Sequence, residues 1–213
     1  MLFNELYIDK RFEQVINLAW EIFQCKVGNG LINIYKEASM QLQFAYILQN
    51  LIPAFIYEKD EYVEIQLEKT VYYNNISSEI DMFLNILKGK NEIKIAIEMK
   101  CYREFAASGG KRGATDIFMK DVYVDIEKLE NYIKNDICQY TFLIIMNDLE
   151  NLIYPKKIDS KCWDYNISQG FILEPKHLTT PIGGKDISIE IKNNYNFKWT
   201  KFGKYYFLIL PGY

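Results

Sequence analysis

The chain has 213 residues, of which 49% are hydrophobic and 25% charged, and a formal net charge of −3. That length suits a single domain with a self-sufficient core, and the composition excludes disordered and fibrous chains. No apolar run is long enough to span a membrane, and Met1 to Arg11 carries acids and no apolar signal core, so a cytoplasmic protein with no membrane partner is expected.

Residues 11–27 predict a helix with Phe12, Val15, Ile16, Ala19, Ile22 and Phe23 on one stripe, ended by Gly28, Asn29 and Gly30. A second helix is expected from Ile32 to Leu51, stopping before Pro53, with Ile34, Ala38, Leu42, Ala45, Leu48 and Ile52 inward. The period then changes to two. Tyr62 to Lys69, Ser78 to Leu87 and Glu92 to Cys101 read as three half-buried strands. Residues 102–120 are irregular and hold Gly109, Gly110 and Gly113. Asp121 to Asn135 predicts a helix with Val122, Ile126, Leu129 and Ile133 inward, and YTFLIIM, Tyr140 to Met146, a fully buried strand. Residues 147–185 are loop-rich, and Ile187 to Lys192 and Tyr205 to Leu210 are two further strands. The expectation is one α/β (α+β) domain over 1–213, with a core of about 31–148 and a β-rich C-terminal extension of about 149–213.

The second and third strands are joined by Lys88-Gly89-Lys90-Asn91. A two-residue loop at Gly89-Lys90 sets 88 opposite 91, and the same register sets Asp81 opposite Glu98. Directly opposed residues share a face with Cβ atoms about 4.5–5.5 Å apart, and Lys100 lies on that face too. Two facing carboxylates destabilise a strand pair unless a cation lies between them. Mg2+ takes hard oxygen ligands of this kind; it polarises a phosphoryl oxygen and supplies a hydroxide-like nucleophile. The Lys100 ammonium beside it can orient or deprotonate the water and steady developing negative charge. Hydrolysis of a phosphodiester is the chemistry this set suits.

The string EIDMFL, sixteen residues, then EMK resembles the PD-(D/E)XK nuclease superfamily. Asp81, Glu98 and Lys100 match its motif residue for residue, with Ile80 where a proline often precedes the aspartate. The resemblance covers roughly residues 31–148. It implies a restriction-endonuclease-like αβββαβ core, with a mixed central sheet flanked by helices, which is the element order read above. It also implies a Mg2+-dependent DNA endonuclease, with Mn2+ as a substitute, whose metal is held by Asp81, Glu98, the Met99 backbone carbonyl and a glutamate of the preceding helix. Glu37 occupies that last place, with Gln41 one turn on as a candidate substrate contact. A polar residue of the later helix often lies beside such sites, a place Lys128 fits.

Two basic segments are candidates for the substrate backbone. Lys100 to Gly113 holds Arg103, Lys111 and Arg112 against the single acid Glu104, and its glycines let amides approach phosphate. Lys192 to Lys204 has four lysines, no acid, and Tyr195, Phe197, Trp199 and Phe202 interleaved. Base stacking with backbone contact and a plain half-buried strand both fit that pattern. The acidic helix from Asp121 to Asp136 is expected to face away from nucleic acid.

Four cysteines, Cys25, Cys101, Cys138 and Cys162, match no metal-finger spacing and are expected as reduced thiols, mostly in the core. The lone His177 excludes multi-histidine metal sites and is expected at the surface or in a loop. No nucleotide-cofactor motif is evident. The function expected is a DNA endonuclease, with a type II restriction enzyme compatible in size and a homodimer compatible with cutting both strands. The alternatives are a catalytically idle nuclease-fold module that binds nucleic acid or a protein, and an RNA-directed metal-dependent phosphodiesterase.

Overall fold

The computed structural model describes residues 8–106 and 109–212, so most of the N-terminal stretch read for an export signal lies outside the described residues. Helix α1 spans Ile8–Gly28 and α2 spans Glu37–Leu51. Three strands follow, β1 (Glu61–Tyr73), β2 (Ile76–Lys88) and β3 (Asn91–Tyr102), then α3 (Thr115–Lys134) and β4 (Tyr140–Asn147). The remainder holds the one-turn helix α4 (Glu150–Ile153), the short strands β5 (Ile172–Leu173), β6 (Lys176–Leu178), β7 (Ile189–Ile191), β8 (Tyr195–Asn196) and β9 (Thr200–Phe202), and a longer β10 (Tyr205–Gly212).

One mixed sheet of six strands runs in the order β1-β2-β3-β4-β10-β9. Only β3 and β4 are parallel; such a pair needs a crossover, and α3 supplies it. Strand β10 pairs antiparallel with β4, so the C-terminal extension contributes to the central sheet. Because β3 and β4 run together, with Tyr102 opposite Asn147, the loops that follow both leave the same sheet edge.

Both faces of the sheet are covered. Helices α1 and α2 bury Phe12, Trp20, Phe23, Phe44 and Leu48 against Met82, Leu84, Ile95, Ile97 and Met99. On the other face α3 lies between the sheet and the C-terminal extension: Val122, Ile126 and Leu129 share a core with Phe83, Ala96, Leu143, Ile189, Phe197 and Trp199. Among the described residues no helix is long and apolar enough to cross a membrane.

Two expectations need correction, and one open reading is decided. The second helix starts at Glu37 and not near Ile32, because Lys36 is extended and Ser39 Oγ accepts the Tyr35 and Lys36 amides, each at 3.1 Å, closing the first turn. A stripe counted from Ile34 therefore starts outside the helix. Ala38 and Leu42 are exposed, and the buried face is Met40, Gln41, Phe44, Ala45, Ile47 and Leu48. The third helix begins six residues early, at Thr115, after Ala114 in a left-handed conformation (φ 60°). In the tail, Tyr195, Phe197 and Trp199 are buried while Lys192, Lys198, Lys201 and Lys204 face water, so of the two readings left open the half-buried one holds and these three aromatics are core.

Candidate active site

The site forms where β2 leaves its neighbours. The β2–β3 ladder runs in the expected register from Lys88 opposite Asn91 to Met82 opposite Ile97 and stops one rung before Asp81 and Glu98. The β1–β2 ladder skips its rung at the same point: Leu67 pairs with Met82 and Lys69 with Ile80, while Glu68 between them has φ 51°. Ile80 and Phe83 consequently share the α3 side of the core, and Met82 lies on the α2 side. The freed groups find side-chain partners. Asp81 Oδ2 accepts the Met99 amide at 2.6 Å. The Asp81 carbonyl accepts Gln41 Nε2 at 2.6 Å, and the same nitrogen donates to Glu68 Oε1 at 2.7 Å.

Strand β3 stays fixed by β4, with Glu98 opposite Leu143 and Lys100 opposite Ile145. Two residues apart on one strand, Glu98 and Lys100 project to the same side, where α3 meets them with Asp125 and Lys128, about one turn apart. The pairs cross: Lys100 Nζ lies 2.9 Å from Asp125 Oδ2, and Lys128 Nζ lies 3.0 Å from Glu98 Oε1. Lys128 is also 3.9 Å from Asp125 Oδ1. Asp125 Oδ2 has no aligned hydrogen bond, so its contact with Lys100 is ionic. The Tyr132 hydroxyl reaches Glu98 Oε1 at 3.1 Å and Ser78 Oγ at 2.7 Å. From the first turn of α2, Glu37 Oε1 comes within 3.7 Å of Lys100 Nζ, and its Oε2 accepts the Cys101 amide at 3.1 Å.

Four carboxyls, Glu37, Asp81, Glu98 and Asp125, thus face two ammoniums, Lys100 and Lys128. Burial raises all four carboxyl pKa values. Glu98, 1% exposed, is pushed up to about 8 by burial and then by the Asp125 charge, with Lys128 opposing and Asp81 adding to the rise. Burial disfavours the Lys100 ammonium, but Asp125 and Glu37 outweigh it and hold the pKa above the usual lysine range. Lys128 is raised as well: burial opposes its charge, and Glu98 and Asp125 overcome that.

Among the described residues no three His, Cys, Asp or Glu side chains form a metal-holding group as they stand. The two lysines lie between the carboxylates. The donor set nevertheless fits a hard divalent cation: all oxygen, with two more carboxylates than ammoniums, the four carboxylates standing on four separate elements that the fold brings together.

The other sequence candidates divide. Gln41, expected to touch substrate, is buried and spends its amide on Asp81 and Glu68. Arg103 also turns inward. Its Nε donates to Asp148 Oδ2 at 2.8 Å, its Nη1 donates to the Ile34 carbonyl, and its guanidinium lies 5.0 Å from the Tyr205 ring centroid. Lys111 and Arg112 follow the β3 exit in a loop closed by the Phe105–Lys111 bridge. Lys111 is exposed and 3.1 Å from Glu104, while Arg112 is half-buried with its amide on the Glu104 carbonyl. His177 is exposed and paired with Ser188, and all four cysteines are free, with Cys101 and Cys138 buried.

Asp125 and Tyr132 were missed from sequence, and the acidic helix does not face wholly away. The signal was there: Asp125 lies three residues after Val122 and four before Leu129, on the stripe assigned to the core. Glu68 was missed although the β1–β2 register places it opposite Asp81, because β1 was expected to end near it. Compared with protein-family models, curated proteins and solved structures, the chain matches none.

Proposed function

We propose that the chain is a metal-dependent nuclease of restriction-endonuclease-like fold, hydrolysing DNA phosphodiester bonds at the fork between β2 and β3. One observation carries the reading: Asp81, Glu98 and Lys100 converge on one point, joined by Glu37, where carboxylates outnumber ammoniums by two. Asp81 and Glu98, with Glu37 at the rim and the Met99 carbonyl, are the oxygens that would hold Mg2+ or Mn2+. When bound, the ion supplies Lewis-acid charge at the phosphoryl oxygen and lowers the pKa of a bound water.

The chain's own groups do the rest. Lys100, kept protonated by its acidic neighbours, offers positive charge to the pentacovalent phosphorane as negative charge builds. In that role it is an electrostatic and orienting group for the attacking water and the reacting phosphate. Lys128 and Tyr132 hold Glu98 Oε1 and so fix the carboxylate's orientation. Gln41 holds the Asp81 main chain and keeps β2 open at the fork. Lys111, on the loop leaving β3, is an exposed cation for the phosphate backbone.

The idle-module alternative is favoured by one feature, the crossed pairing of Lys100 with Asp125 and Lys128 with Glu98, which satisfies two of the four carboxylates with the chain's own cations. Incubation with Mg2+ and supercoiled plasmid, single-stranded DNA or RNA decides between the readings. Nicking or linearisation of plasmid that stops on chelation is the expected result. Cleavage of RNA alone transfers the activity to the RNA-directed alternative, and no cleavage of any substrate in Mg2+ or Mn2+ leaves the idle module.

A further inference from the structure

Three carboxylates outside the fork, one buried and two half-buried, tie down backbone. Glu61 accepts the Tyr57 and Glu58 amides, Asp148 the Glu104 amide, and Glu130 the Lys192 and Asn193 amides. Asp125 differs. It is 4% exposed, and no hydrogen bond to it from a backbone amide or a hydroxyl is seen among the described residues. Its contacts are the two lysines of the site, Lys100 at 2.9 Å and Lys128 at 3.9 Å. Aspartate is a poor residue for the middle of a helix, and a buried carboxylate costs several kcal/mol unless it is paired. Neither helix formation nor core packing therefore accounts for it. The partner it serves is Lys100, whose other acidic contact, Glu37, is longer at 3.7 Å and has a side chain 41% exposed.

We propose that Asp125 is a positioning residue for Lys100: its buried carboxylate selects one placement of a flexible four-carbon side chain and holds the ammonium over the fork beside Glu37 and Asp81. A lysine stem samples several rotamers when unpaired, and misplacing a reacting group by about 1 Å costs on the order of 100-fold in rate. Asp125 acts through Lys100, so its loss slows turnover and leaves substrate affinity in place. The catalytic meaning of this inference rests on the nuclease reading; the placement itself does not.

The test uses Asp125→Asn and Asp125→Glu in the full chain, with folding checked by thermal melts. The first readout is Mg2+-dependent plasmid cleavage, where Asp125→Asn is expected to lower kcat about 100-fold. DNA affinity measured in Ca2+ should stay within about twofold, because Lys100 works in the transition state. The second readout needs no activity: acetylation of Lys100 by an amine-reactive ester, followed by peptide mass spectrometry with exposed Lys36 as internal standard. Asp125→Asn is expected to raise the Lys100 labelling rate severalfold, and Asp125→Glu, which restores a carboxylate, to bring both readouts part of the way back. Should Asp125→Asn fail to fold, Asp125→Glu carries the test with intermediate values expected. Parental Lys100 labelling in a folded variant overturns the proposal, as does a loss confined to DNA affinity. A parent protein that cleaves nothing overturns the nuclease reading instead, and the labelling result then decides on Asp125 alone.

Discussion

The Asp81 carboxylate stands in for a strand partner of Met99: its Oδ2 accepts the Met99 amide at 2.6 Å, one rung past the last backbone pair between β2 and β3. The same residue is thus both the hinge of the fork and the first acid of the candidate site. Its two roles separate under mutation. Asparagine keeps an oxygen for the Met99 amide, whereas alanine leaves that amide without its partner. We expect Asp81→Asn to fold as the parent does and to lose Mg2+-dependent cleavage, with DNA binding kept or improved. Asp81→Ala should in addition lose about 1–3 kcal/mol in urea unfolding. Normal cleavage by Asp81→Asn would falsify the assignment.

Glu98 gives the site a pH signature. Its carboxyl pKa is raised from 4.5 to about 8 in the folded protein, by burial first and by Asp125 next. The folded state then binds more protons than the unfolded state between those values, so this group lowers stability as pH rises. Its penalty is absent below about 4.5 and fully developed above about 8. Glu98→Gln removes the titration. The difference in unfolding free energy between Glu98→Gln and parent should therefore shift in favour of the variant from pH 5 to pH 8.5, in chelator. A flat difference across that range would mean that Glu98 is not held in a proton-retaining site.

The fold was largely legible, and the reasons lie in particular residues. The alternation of Ile93, Ile95, Ile97 and Met99 and the Gly89-Lys90 loop sufficed for the β2–β3 register, since a slip of one residue would turn every apolar side chain to the wrong face. The short run YTFLIIM suited a doubly covered strand, and β4 is buried throughout after Tyr140. Start points were harder. The capping role of Ser39 involves main-chain groups of Tyr35 and Lys36, and hydrophobic period carries no trace of it. In the site, Glu98 and Lys100 follow from the alternation of β3; Asp81 was expected on a paired rung that the ladder does not reach, and Glu37 came from the resemblance alone. Asp125 was hidden by its type, since an acid on an acidic helix reads as surface until its position on the apolar stripe is weighed. Arg103 misled for the converse reason. Its charge suggested phosphate, but the partners that claim it, Asp148, Ile34 and Tyr205, are distant in sequence.

A second acid should dominate stability at low pH. Arg11 pairs with Glu61 where α1 meets the start of β1, and the Glu61 side chain has no exposure. Burial alone would raise the Glu61 pKa, but hydrogen bonds from Arg11 and from the Tyr57 and Glu58 amides outweigh it and hold the value near 2, about 2 as against 4.5 unperturbed. Here the sign is opposite to that of Glu98. The stabilisation is fully present above about 4.5 and is lost as pH falls toward about 2. Arg11→Met leaves the buried carboxylate with Lys88, 3.4 Å away, as its remaining cation and should cost up to about 3–5 kcal/mol near neutral pH. The Arg11→Met, Glu61→Leu double variant should regain much of that loss, and chemical unfolding of the parent, the two single variants and the double variant checks the cycle.

The grip on the nucleic-acid backbone is the remaining test. With Arg103 held inside the protein, Lys111 and Arg112 are the cations left in the loop that leaves β3. Lys111 has a side chain 69% exposed and, among the described residues, a 3.1 Å contact with Glu104 to hold it. An ion pair that exposed is worth little and gives way readily to a phosphate. The amide of Arg112 and its carbonyl are fixed by Glu104 and Tyr102, so the loop presents these residues from a defined base. If both touch phosphate, the double change to alanine weakens binding equally on all sequences and flattens the slope of log affinity against log salt by about 0.9 per lost contact on duplex DNA. Loss of base contacts would cost about 1–3 kcal/mol at single positions and relax specificity there. Binding measured in Ca2+ across a salt series, for parent and double variant, separates the two. An unchanged slope would assign the backbone contact elsewhere, and the outward lysines Lys192, Lys198, Lys201 and Lys204 would be the next to substitute.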